Sequence, residues 1–174
     1  MPLAAASIDI ANLEHSVWSL WEEWLRGYFN GQTHTFGGRS RFCPVASVAF
    51  QQSALQNPLD GLGIHVVWVS PARQQLARWD SEPGRHGRRM FTAVRWQFLV
   101  RARLEGAPEG QAAKLAMDAA AILYWLLRSP IAVASLSQKG IGHVRPDIPV
   151  LISDSASGFA MRQVGCGATL TYWI

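Results

Sequence analysis

The stretch from Met90 to Leu104 alternates like one long strand, with one parity mostly apolar and arginine on the other parity only. Met90, Val94, Trp96, Phe98, Val100, Ala102 and Leu104 share one parity, while Arg95, Gln97, Arg101 and Arg103 share the other. A period of two is that of a β-strand, whose successive side chains point to opposite faces. The stretch therefore reads as one long strand buried on one side only. The loop before it, Pro83 to Arg89, adds Arg85, Arg88 and Arg89, so six cations and no acid fall between Arg85 and Arg103. The chain's formal net charge is +4, which leaves −2 for everything else and makes the basic character a local patch. Such a patch marks where a partner binds, and Arg85, Arg88, Arg89, Arg95, Arg101 and Arg103 are the expected partner or DNA contacts. Fourteen of the sixteen cations are arginine, whose planar fork suits carboxylate or phosphate recognition better than the lysine point charge does.

A chain of 174 residues is expected to form one domain over 1–174, with a core large enough to need no metal or disulfide staple. Only 16% of its residues are charged, which suits a surface that covers its flanks with neighbouring chains. Cys43 and Cys166 stand far apart with no CxxC or Cys/His spacing, so free thiols in a reducing compartment are expected. The N-terminal segment lacks a signal-peptide pattern, and no apolar run reaches the roughly 18 residues a membrane helix needs. The expected setting is a cytoplasm, with no membrane partner.

Ile10, Leu13, Val17, Leu20, Trp24 and Tyr28 follow helical spacing, predicting a first helix over Ile8 to Phe29, with Ser7 or Asp9 as its cap. Trp18, Trp21, Leu25 and Phe29 widen the apolar stripe beyond one core seam and are the expected subunit interface. Residues 31–63 read as a long connection holding one short strand, Val45 to Phe50. Ile64 to Val69 is a strand, continued by Gln75 to Trp79. With Met90 to Leu104 it makes a projecting hairpin over about 64–104, tipped by the basic loop. An alanine-rich helix follows from Gln111 to Arg128, ended by Ser129-Pro130. Ile131 to Leu136 looks like a strand, Gly140 and Gly142 mark a turn, and Val150 to Ile152 extends again. The closing stretch, Val164 to Ile174, alternates like the opening one and ties the C-terminus into the sheet. The expected class is α+β, a largely antiparallel sheet with two main helices packed against it.

Catalytic signatures are missing: there is no GxSxG, Walker A loop, HExxH or EF-hand loop. Gly61-Leu62-Gly63 reads as a turn before a strand. The five histidines never fall at ligand spacing on one element, Glu22-Glu23 reads as a solvated helix face, and Ser153 to Gly158 has turn composition. No catalytic residue, metal ligand or cofactor is assigned. The patch also comes without a helix-turn-helix, finger or RNP signature, so any nucleic-acid contact is to phosphate.

The hairpin strand RRMFTAVRWQFLVRARLEG, the helix GQAAKLAMDAAAILYWLLRSP and the closing strand FAMRQVGCGATLTYWI, behind an amphipathic N-terminal helix, resemble the tail terminator (neck) proteins of tailed bacteriophages over about residues 8–174. The resemblance implies a structural virion protein, made in the host cytoplasm and residing in the virion neck. It implies a homo-oligomer, a hexameric ring, that caps the tail tube protein, stops its polymerisation and docks on a head-completion or connector protein. A sheath protein is a further partner in contractile tails, and genomic DNA passes through the lumen. Two other readings stay open from the residues: another ring-forming connector or stopper, and a non-specific nucleic-acid-binding module using the arginine hairpin. An enzyme is expected only if several of His34, His65, His143, Asp147 and Asp154 meet in one pocket.

Overall fold

The computed structural model describes residues 13–29, 32–36, 38–50, 60–69, 89–155 and 158–173. In chain order the elements are α1 (Leu13–Tyr28), β1 (Thr33–Phe36), β2 (Arg39–Phe42), β3 (Val45–Phe50), β4 (Gly61–Val69), β5 (Arg89–Arg103), α2 (Gln111–Leu126), α3 (Pro130–Gln138), β6 (Ile141–Pro146), β7 (Val150–Ser155) and β8 (Phe159–Trp173). The class is α+β, with helices packed on a largely antiparallel sheet.

The alternating stretch forms β5, and its register explains the sheet. β5 pairs antiparallel with β8 from Arg89↔Trp173 to Arg103↔Phe159, and its other edge pairs with β4 from Val69↔Arg95 to Gly61↔Arg103. β3 adds to the outside of β4 in parallel, and β6 and β7 lie one after the other along the far edge of β8. Residues directly opposite share a face. Leu62, Ile64 and Val66 of β4, Val94, Trp96, Phe98, Val100 and Ala102 of β5, and Ala160, Val164, Cys166, Ala168 and Leu170 of β8 therefore make one buried apolar surface, interrupted at Arg162, which stands opposite Val100.

The three helices cover that surface. Ala112, Ala116, Ala119 and Ala120 are buried along α2, which lies across β8 and β5. Their small side chains let the helix come close to the strands. α1 lays Val17, Leu20, Trp21, Trp24 and Leu25 into the same core, and Trp21 meets Phe98 and Trp96 edge-on, with ring centres 4.9 and 5.2 Å apart. Trp24 Nε1 donates to the Ala132 carbonyl at 2.8 Å, joining α1 to α3, and Lys139 pairs with Glu23 beside it.

Several expectations need correction. Trp21, Leu25 and Phe29 are fully buried within one chain, so they are core rather than subunit interface. Trp18 is half-buried. α1 supplies the largest aromatic packing on a six-stranded sheet, and the width of its stripe is used up there. Ile131 to Leu136 is helical, because Ser129 accepts from Ala132 N, Pro130 sits at the first turn, and Ala132 and Leu136 face the core four residues apart. The described residues of the stretch 31–63 are mostly strand: β1 and β2 form a hairpin turning at Gly38 (φ 69°), β3 lies where expected, and β4 starts at Gly61 within the supposed turn. The hairpin of β4 and β5 is present, but β5 is no free arm, since β8 accompanies it along its whole length. Residues 70–88, including the extension Gln75 to Trp79 and the basic tip, lie outside the described residues.

Among the described residues no single helix is long and apolar enough to cross a membrane. α2 and α3 together meet the length and composition but bend by 68° at Ser129-Pro130 and bury alanines against the sheet.

If Trp21 is core, Trp21→Ala should lower the unfolding free energy by about 3–5 kcal/mol in a urea titration, equally at every protein concentration. Unchanged monomer stability with weakened self-association would return Trp21 to an interface.

Candidate functional site

The other face of the sheet has no helix over it among the described residues, and it carries the arginines of β5. Glycines stand at key places on it: Gly63 on β4, and Gly165 and Gly167 on β8. Gly167 opens to empty space, whereas the missing side chains of Gly63 and Gly165 make room for polar groups from neighbouring strands.

The three β5 arginines with described side chains have three different environments. Arg95, half-exposed, ion-pairs with Asp147 in the link between β6 and β7. The pair folds over Gly165, where an added Cβ would come within 2.9 Å of Arg95 Nη2 and collide with the Asp147 carboxylate. The Asp147 amide also donates to the Gly165 carbonyl at 2.8 Å, which fixes the link in place. Arg103 donates to Glu105 at 2.8 Å just past the end of β5. Arg101 is only 6% exposed, and among the described residues its enclosed Nε has no hydrogen-bond partner. Burial, then the neighbouring Arg103, lowers its pKa.

The patch is thus less basic than the charge count suggests. Two of its six cations are neutralised by local acids and one is withdrawn from the surface, which corrects the expectation of a single wet arginine face. Arg85 and Arg88 lie outside the described residues, and Arg89 is described only by its pairing with Trp173.

Beside Arg101 lies a group that the sequence did not single out. Ser47 on β3 stands opposite Gly63 on β4, and Gly63 stands opposite Arg101 on β5, so the three cross the sheet in one row. His65, two residues along β4 on the same face, is 1% exposed. Burial, and then the positive charge of Arg101, push its pKa down from 6.5 to about 4, so it is neutral at physiological pH. Ser47 Oγ, both His65 nitrogens and Arg101 Nε are buried without a partner among the described residues. The sequence held one signal for this row, the glycine at 63 inside a strand, since a strand glycine marks close approach.

The groups that an enzyme reading requires are not brought together. His34 lies on β1 beside Phe29, His143 is exposed on β6, His65 sits in the sheet, Asp147 is held by Arg95, and the Asp154 side chain lies outside the described residues. Among the described residues no three His, Cys, Asp or Glu gather at metal-binding distance. An open depression of about 420 Å³ between the α2–α3 corner and β6 is lined by Leu127, Arg128, Pro130, Val133, Val144, Arg145 and Pro146, and none of those histidines or acids reaches it. Both cysteines are free and buried, and burial raises the Cys43 thiol to about 11 and the Cys166 thiol to about 12.

Exposed apolar side chains appear where they were not expected. Ile148, just before the outer strand β7, and Val150, Leu151 and Ile152 on it form an apolar run, and Trp125 and Ile131 stand out from α2 and α3. The unalternated run Ile148-Pro149-Val150-Leu151-Ile152 was the available sign, because proline within an apolar run points to an edge strand.

The chain matches no protein-family profile and no curated relative.

A histidine held neutral in the fold makes stability depend on pH. Below about 6.5 the unfolded chain takes up a proton that folded His65 refuses until about pH 4, so stability is greatest above this window and falls as pH drops through it. Urea midpoints measured from pH 7.5 to 4 should show this fall, and His65→Gln should remove part of it. Both thiols should resist a disulfide exchange reagent at pH 8 until the chain unfolds, because neither forms thiolate there.

Proposed function

We propose that this chain is a structural virion protein of the tail-terminator type, assembling through its own sheet edge into a ring, a hexamer on the family resemblance. The observation that carries the assembly part is the exposed apolar run of Ile148, Val150, Leu151 and Ile152, leading into and along β7. An outer strand with unpaired backbone groups and apolar side chains is a template for pairing with another chain. A closed ring uses such an edge once per subunit and leaves none open to solvent. The resemblance supplies the rest of the reading: the ring caps the tail tube, stops its growth and docks on the head-completion or connector protein, with a sheath contact in contractile tails and genomic DNA crossing the lumen.

Local neutralisation of the arginines favours this reading over a free nucleic-acid-binding module. Arg95 and Arg103 already hold acids of the same chain, which leaves fewer cations to displace counterions from phosphate. The same neutralisation suits a lumen that DNA must cross without sticking.

Electron microscopy of the purified protein, alone and mixed with tail tubes, should show rings seated on tube ends. Leu151→Lys with Val150→Lys should convert the oligomer seen by sedimentation into a monomer with an unchanged thermal midpoint. A wild-type monomer that neither binds tubes nor changes their length would refute the proposal.

A further inference from the structure

A hairpin of two short strands is marginal in water unless it joins a larger sheet or packs on a helix. The strands of β1–β2 have four residues each and pair with one another, apart from the six-stranded sheet. Thr33, Thr35, Arg39, Ser40 and Phe42 are exposed, Phe42 by 55%. The hairpin is tied to its own chain by Arg41 on Asp118 of α2 and by His34 against Phe29. Those ties anchor it and leave an aromatic side chain in water.

The sheet register sets this hairpin level with the apolar run of β7. Val45, three residues after Phe42, stands opposite Leu62, Leu62 opposite Ala102, Ala102 opposite Ala160, and Ala160 opposite Asp154 of β7. One row therefore crosses the sheet from the foot of the hairpin to β7, through β3, β4, β5 and β8. At the usual spacing of neighbouring strands its ends lie about 19 Å apart. The two ends also differ in charge. The hairpin strands contain Arg39 and Arg41 and no acid, whereas β7 contains Asp154 and no cation. Asp118 answers Arg41, and among the described residues no acid pairs with Arg39.

We infer that the β1–β2 hairpin is an arm that covers the apolar run of β7 in a second copy of this chain, with Phe42 on Val150 and Leu151 and with Arg39 beside Asp154. A contact between two different patches is head-to-tail, and it closes into a ring only where successive copies are related by rotation without a rise. For an axis along the strands, that requires both patches at one height on the subunit, and the row from Val45 to Asp154 puts them there. The apolar contact removes exposed surface on both copies, and the opposite charges fix which end of the arm meets which end of β7. This inference rests on the self-assembly proposed above and names the surface of the neighbour that receives β7.

Full-length wild type, an arm variant Phe42→Lys, and a β7 variant carrying Val150→Lys and Leu151→Lys would be compared by sedimentation. Each variant alone should stay monomeric where wild type assembles. Mixed in equal amounts, they should form a heterodimer and go no further, because one intact arm then meets one intact β7. Arg39→Glu should weaken assembly at least tenfold, and adding Asp154→Arg to the same chain should restore it, which a folding defect would not allow. If Phe42→Lys lowers the thermal midpoint, this charge exchange decides in its place. Wild-type assembly by Phe42→Lys, a mixture that stays monomeric, or a charge exchange that restores nothing overturns the inference and leaves the β7 contact standing. Wild type that stays monomeric at every concentration, alone and with tail tubes, overturns both.

Discussion

The pairing of β5 with β8 is the constraint on which the rest depends. The two strands run antiparallel from Arg89↔Trp173 to Arg103↔Phe159, and this register puts Trp96 beside Cys166 and Phe98 beside Val164 on one face. A slip of one residue would move every one of these side chains to the other side. With the register set, only one face is apolar, and α1, α2 and α3 all gather there. The choice of face also decides the site, because it sends Arg95, Arg101 and Arg103 away from the helices. β8 then organises the far half of the sheet, taking β6 and β7 on its other edge.

What could be read in the sequence follows from where period and burial agree. β5 and β8 are long and covered on one face, so their alternation is legible residue by residue, and the α2 alanines announce a helix. Ile131 to Leu136 carries no such signal. Six apolar and small residues fit either period, and the outcome is set by Ser129 and Pro130 at its start and by the core that receives Leu136. The β1–β2 hairpin was hidden for the opposite reason. Thr33, Arg39, Ser40 and Phe42 are exposed, so no buried face imposes alternation, and the pairing rests on the backbone ladder and on Arg41 reaching Asp118 of α2 at 2.6 Å.

The interface and the polar row were illegible because both depend on neighbours across the fold. A wide aromatic stripe on α1 reads alike whether it meets another subunit or Trp96 and Phe98, and only the sheet shows that one chain consumes it. Ile148 to Ile152 has the composition of a buried strand, yet it lies outermost. Arginine at 101 has the same parity as arginine at 95. Nothing along β5 says that β3 and β4 enclose the first while the turn after β6 brings an acid to the second.

That difference between Arg95 and Arg101 is the physical core of the functional argument. Both stand on the same face of the same strand, and each lies near a glycine that opens space over the sheet. Over Gly165 the space is taken by the Asp147 carboxylate, so the charge of Arg95 is answered within the chain, at a half-exposed position where such a pair contributes about 0–1 kcal/mol. Over Gly63 the place of the missing side chain is taken by Ser47, His65 and Arg101, and no acid of the described residues pairs with Arg101. The same face thus treats two arginines differently, pairing one with an acid of the chain and burying the other among neutral polar groups. Burial makes the second arrangement the more costly, because a nearly enclosed guanidinium sits in a medium far less screening than water.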